Sequence, residues 1–118
     1  MLVEWEGKIL LVRLGYAHRE WTIPGGGVGR HESYEAAARR EIQEECGITL
    51  GALEKIGEYE NRKEYKRDTV ICFRAAVFHF NFEIDNLEIA EAGWFSPSAL
   101  PSPHRHTVPK ILHMAGIH

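Results

Sequence analysis

Apolar positions along the chain alternate between a strand period and a helix period, and the changes of period mark the elements. Leu2 to Trp5 and Lys8 to Leu14 are β-rich runs separated by Glu6-Gly7, which predicts a hairpin. Trp21-Thr22-Ile23 predicts a short strand, stopped by Pro24 and three glycines. Ser33 to Cys46 is rich in helix formers, with Ser33 as the expected N-cap and Gly47 as the left-handed residue that ends the helix. Leu53 to Tyr59 predicts a strand, and the charged stretch Asn61 to Arg67 predicts a loop. Thr69 to Phe80 is apolar on both faces, the pattern of a central strand covered from two sides. Ala92 to Ser96 predicts a last strand, and Thr107 to Ala115 a terminal helix with Pro109 in its first turn. The order ββ(β)αβββα predicts an α/β class fold, a mixed sheet between helices in an α/β/α arrangement.

The chain has 118 residues, so residues 1–118 are expected to form one domain. Hydrophobic residues make up 44% and charged residues 26%, a globular balance that argues against disorder. The longest apolar stretch, Val70 to Phe80, is broken by Arg74 and His79 and is too short to span a bilayer. The start, Met1 to Glu6, lacks the basic segment and apolar run of a signal peptide, so a cytoplasmic location and no membrane partner are expected. Fourteen Lys and Arg face 17 Asp and Glu, and a net charge of −3 argues against long nucleic acid as a partner. Cys46 and Cys72 have no C-x-x-C neighbour and read as reduced core thiols.

The chemistry concentrates on the helix. On a wheel, Tyr34, Ala38, Ile42 and Cys46 fall on one stripe, which is expected to face the sheet. Glu41, Glu44 and Glu45 fill a neighbouring arc of about 100° that overlaps the edge of that stripe. Like charges at this spacing repel by roughly 0.2–0.5 kcal/mol per pair when solvated. Against a core the cost rises, because desolvation disfavours each charged form. A bound cation relieves both problems. The acids also follow the glycine loop Gly25-Gly26-Gly27, whose backbone can approach a ligand closely. Oxygen ligands select hard cations, Mg²⁺ first and Mn²⁺ as the alternative, and Mg²⁺ joins carboxylates to substrate phosphates. A divalent-metal phosphate site is the reading of the residues alone.

The run Gly26-x5-Glu32-x7-Arg40-Glu41-Ile42-x-Glu44-Glu45-x-Gly47-Ile48 resembles the Nudix box at every fixed position. A chance match in so short a chain has odds of roughly one in 10⁸. The resemblance continues through Ile9 to Arg13, Trp21 to Gly26 and Glu88 to Phe95. It implies a Nudix-type α/β/α sandwich and a hydrolase that cleaves the pyrophosphate bond of a nucleoside diphosphate linked to another group. The implied partner is a small nucleotide-type molecule: a nucleoside triphosphate, a nucleotide sugar or a dinucleoside polyphosphate. A non-catalytic nucleotide-sensing module on the same fold is the alternative.

By the same resemblance, Glu41, Glu44 and Glu45 hold the metal, with the Gly25 carbonyl as a further ligand and Glu88 as a further ligand or base. Glu32 and Arg40 brace loop and helix, and Gly26 and Gly47 are the structural glycines of the box. Arg40 precedes Glu44 by one helical turn and is placed to pair with it. Glu44 is the first candidate for general base, with Glu41 next. Candidate substrate contacts are Arg13, Tyr65, which resembles a tyrosine of dinucleoside polyphosphate hydrolases, and Arg74, a charge on an apolar strand. The chain departs from many relatives in having Gly29 and His31 where they have Glu and Gly; His tolerates the left-handed region, so the turn is expected to survive. Only Met1 to Glu4 remain of what is normally a longer first strand, and a homodimer that completes the edge pairing is a further expectation.

Overall fold

The computed structural model describes residues 1–15, 19–25, 27–63, 66–85 and 89–117, with 61–63 and 66–68 as backbone only. Gly26, Tyr65 and Glu88 lie outside the described residues. Glu6 and Gly7 both take positive φ, 46° and 77°, and fold β1 (Leu2–Trp5) back onto β2 (Lys8–Leu14) with Trp5 opposite Lys8. Two positive-φ residues at the tip match the right-handed twist of the flanking strands. After β3 (Trp21–Thr22) and the glycine loop come α1 (Tyr34–Cys46), β4 (Glu54–Lys63), β5 (Lys66–Ala76), β6 (Ile89–Phe95) and α2 (Thr107–Met114).

The six strands form one sheet in the order β3-β2-β1-β5-β4, with β6 added on β2. Among the described strands β1 and β5 pair in parallel, with Leu2 opposite Arg74 and Glu4 opposite Ala76, and the other strand pairs are antiparallel, so the sheet is mixed. Alternation along β1 and β2 divides the core into two layers. Val3, Leu10 and Val12 pack with Ile42 and Cys46 of α1. Leu2, Ile9 and Leu11 point the other way and pack with Val108 and Leu112 of α2. One helix per face makes the α/β/α sandwich. Burying an isoleucine side chain is worth about 1.5–3 kcal/mol, so Ile42, fully enclosed, does much to dock α1.

Three elements differ from the sequence reading. The charged stretch 61–67 is mostly strand, because β4 and β5 pair as a ribbon with Arg62 opposite Arg67 and Lys63 opposite Lys66. The charged sequence of this stretch carries no apolar alternation, so periodicity could not reveal the strands. The apolar run extends β5 only to Ala76; Phe78 is fully exposed and Phe80 largely so. On α1, Tyr34 is exposed and the buried residues are Ala37, Ile42, Glu45 and Cys46. The buried arc is thus turned toward the acids.

Candidate active site

The Ser33 hydroxyl accepts the Ala36 N–H at 3.0 Å, capping α1 where the glycine loop delivers the chain. At the other end Gly47 sits at φ 65°, and its N–H donates to the Gln43 carbonyl at 3.0 Å. A side chain there would meet the Glu83 carbonyl at 3.1 Å. That closeness lets the segment after β5 dock: the Glu83 N–H donates to the Cys46 carbonyl at 2.8 Å and the Asp85 N–H to the Glu45 carbonyl at 3.0 Å. Both ends of the acid-bearing helix are therefore held. Nothing in the spacing of residues 83–85 signals this contact.

Arg40 is the hub of the site. Its Nε and Nη2 grip both oxygens of Glu32 at 2.8 and 2.9 Å, the planar fork-on-fork pairing that favours arginine over lysine. Nη2 also donates to the Gly27 carbonyl at 3.1 Å. The remaining nitrogen, Nη1, donates to Glu41 at 2.8 Å and to Glu44 at 3.3 Å. The one-turn pair with Glu44 forms as expected; capture of the adjacent Glu41 has no signal in the spacing. The paired carboxylates push the guanidinium's pKa further up, through the hydrogen bonds to Glu32 first and Glu41 next. Glu32 is drawn down to about 2, chiefly by the Arg40 hydrogen bonds and then by the Gly29 N–H, which donates at 2.8 Å.

The two departures in the loop fit this arrangement. A side chain on Gly29 would press on the Glu32 carboxylate at 3.1 Å, so a residue without one leaves room for it. His31 takes φ 64°, and the turn survives.

The three helix acids stand in different surroundings. The side chain of Glu44 is 59% exposed and that of Glu41 15%. Glu45 is the buried charged residue among those described. The Met1 amino group marks the corner it faces: it donates to the Pro24 carbonyl at 3.1 Å, lies beside Gly25 and feels the Glu45 charge. Burial pushes that amine's pKa down, and Cys72 and Glu45 oppose the shift. Three carboxylates on one helix and a carbonyl corner are the donor set of a hard ion, so the residues fit one chemically. Their side chains are not assembled around a common point: among the described residues no three acidic, histidine or cysteine side chains converge as a ligand set. Glu41 and Glu44 are turned onto Arg40 instead.

The candidate substrate residues fall elsewhere. Arg13 pairs with Glu91 across β2 and β6 at 2.9 Å. Arg74 donates to Glu4 from Nε at 3.1 Å and from Nη2, and to the Ala115 carbonyl from Nη1 at 2.9 Å. It lines a cavity of ≈ 590 Å³ with Glu4, Trp5, Lys8 and Phe78, none of them a box residue. Glu4 is three residues along the strand from Met1, roughly 10 Å from the Pro24 corner. Trp21 and Trp94 pack in the frame, Trp21 edge-on to Phe95 and Trp94 near Trp5.

The architecture is an α/β/α sandwich in which a glycine loop leads into a helix whose arginine gathers loop and helix acids. The chain belongs to the NUDIX domain family, whose model matches residues 1–114. It is 36% identical over 107 residues to the oxidized purine nucleoside triphosphate hydrolase of Danio rerio, covering 86% of this chain and 66% of that one. Over 62 residues it is 42% identical to diphosphoinositol polyphosphate phosphohydrolase 2 of Rattus norvegicus, covering 51% of this chain and 35% of that one. The chain thus spans about one third to two thirds of the length of these relatives. Its fold matches the crystal structure of a MutT NUDIX hydrolase from Burkholderia pseudomallei with a TM-score of 0.81 at 24% identity, covering 96% of this chain and 95% of that one.

Proposed function

We propose that this chain hydrolyses the pyrophosphate bond of a nucleoside diphosphate linked to another group, with Mg²⁺, or Mn²⁺ in its place, held by Glu41, Glu44 and Glu45. The observation that carries the reading is a surplus of charge: one guanidinium faces three carboxylates, Glu32, Glu41 and Glu44. That surplus calls for a further cation, and the acids belong to the complete box of a family to which the chain is assigned. Gly25 and Glu88 are the proposed additional ligands.

When bound, the ion supplies Lewis-acid polarisation of a phosphoryl oxygen and a lowered pKa for the attacking water. The chain's own residues do the rest. Glu44, the most exposed of the three acids, accepts the water proton, with Glu41 as the next candidate. Arg40 and Glu32 hold loop and helix in register so that donors and phosphate meet in one orientation. A triphosphate or other small phosphoanhydride suits the activities for which the relatives are named, one acting on oxidised purine triphosphates and one on diphosphoinositol polyphosphates. A cytoplasmic setting suits the free thiols of Cys46, pushed up to about 12 by burial, and Cys72. No helix among the described residues is long and apolar enough to cross a membrane. A homodimer remains part of the proposal.

Phosphate release across a panel of nucleoside triphosphates, nucleotide sugars and dinucleoside polyphosphates, with Mg²⁺ and with chelator, tests the reading. Metal-dependent turnover of at least one member is expected. Binding of a nucleotide without turnover of any would favour the sensing module.

A further inference from the structure

We propose that Arg40 is a built-in competitor of the metal: Nη1 holds the place between Glu41 and Glu44 that a divalent cation must take, and loading the site withdraws those two carboxylates from it. The inference rests on the reading that the helix acids hold a divalent ion, and adds how that ion's affinity is set.

The fork of Arg40 divides into two unequal parts. Nε and Nη2 are committed to the loop, with two bonds to Glu32 and one to the Gly27 carbonyl. Nη1 alone reaches the helix acids, spanning Glu41 at 2.8 Å and Glu44 at 3.3 Å. The arginine can therefore give up the helix acids while its anchor on the loop stays whole. The engaged oxygens, Glu41 Oε1 and Glu44 Oε2, are two of the four that these carboxylates can offer a hard ion. A carboxylate drawn to an Mg²⁺–oxygen distance of about 2.0–2.1 Å has less charge left for the guanidinium, and the two cations brought together there repel. The absence of an assembled ligand set among the described residues follows from the same contacts: two of its members are engaged by Nη1. Nη1 keeps the acids close and partly balanced in charge before loading, and every bond it makes with them is subtracted from the metal's binding.

Arg40→Lys separates competitor from brace. Lysine offers one point charge, which can keep the Glu32 pair and the positive charge but cannot fork to two helix acids at once. Mn²⁺ binding to the full chain without nucleotide, followed by the electron paramagnetic resonance of free Mn²⁺, is expected to be about three- to tenfold tighter in R40K, the fold-change that corresponds to losing one or two partly exposed charge pairs. Equal or weaker binding overturns the proposal and makes Nη1 a simple support. If neither protein takes up Mn²⁺ at millimolar concentration, the proposal falls together with the metal reading beneath it.

A second measurement needs no variant. In the ¹⁵N spectrum of the wild-type Arg40 side chain, Mg²⁺ is expected to release the restrained Nη1 protons while the Nε–H signal, held by Glu32, stays in place. An Nη1 signal unmoved at saturating Mg²⁺ overturns the proposal.

Discussion

Arg40 and Arg74 are both arginines locked onto a glutamate by two nitrogens, yet they do opposite work in the molecule. Arg74 hydrogen-bonds one carboxylate, Glu4, has Glu54 opposite it in the β4–β5 register, and spends its third nitrogen on the Ala115 carbonyl at the end of α2. A cation at a helix C-terminus also meets the negative end of the dipole. Its hydrogen bonds go to one carboxylate and one carbonyl, and it joins β1, β5 and α2. Arg40 faces three carboxylates, Glu32, Glu41 and Glu44, which one guanidinium cannot neutralise. Arg74 ties strands and helix together; Arg40 leaves a surplus of negative charge, which the proposed metal would balance. On that proposal, the number of carboxylates gathered on the guanidinium, more than its place on an apolar strand, would separate frame from site.

The sharpest way to break this contrast is to remove the surplus. Glu45→Gln and Glu44→Gln are expected to lower Mg²⁺-dependent kcat by about 10²–10⁴-fold, the range for losing a metal donor or proton acceptor. Folding should hold, since a buried carboxamide is cheaper to desolvate than a buried carboxylate. Turnover and thermal midpoints measured on the same preparations check both halves. Wild-type kcat in both variants would mean that the acids on α1 are as structural as Glu4.

The reverse experiment is expected at Arg74. Arg74→Met keeps the apolar stem but leaves Glu4 and the Ala115 carbonyl without their donor. Their side-chain surroundings are mostly enclosed, with 27% exposure for Arg74 and 21% for Glu4. Stranding an enclosed acceptor costs about 1–3 kcal/mol, to be read from urea midpoints, with kcat and KM unchanged at 25 °C. A substrate contact would instead show a raised KM with stability intact.

The same contrast separates what is legible in the amino-acid sequence from what is not. The Ser33 cap, the Gly47 stop and the acids of α1 are local, set by spacing within one helix, and the fold reproduces them. The α/β/α layering follows from element order, and the opposed packing of Val3 and Leu2 confirms it. Contacts between distant segments carry no such signal. Glu4 and Arg74 lie 70 positions apart, and their pairing depends on the parallel register of β1 and β5. Arg74 can be recognised as a charge in need of a partner, but the partner cannot be named from spacing. The docking of residues 83–85 on α1 is hidden for the same reason. Phe78 fails differently: an apolar run says that residues prefer burial, not where the strand must stop, and the strand stops at Ala76.

The smallest of the effects distinguishes the two arginines by pH. Glu32 titrates at about 2 in the folded chain, below its ordinary 4.5, because the Arg40 fork and the Gly29 N–H favour its charged form. A depressed carboxylate contributes stability that is fully present above the unfolded value and is lost as pH falls through the folded one. The contribution of Glu32 is therefore constant above about pH 5 and disappears between 4.5 and about 2. Glu32→Gln removes the charge at every pH. The difference between wild-type and E32Q urea midpoints is expected to stay flat from pH 7 to 5 and to close below 4.5. Its size is modest, since the Arg40 side chain is 36% exposed and solvent screens the pair. A gap as wide at pH 2.5 as at pH 7 would show that Arg40 grips the shape of residue 32 and not its charge, and the loop half of the clamp would then resemble an ordinary hydrogen-bonded turn.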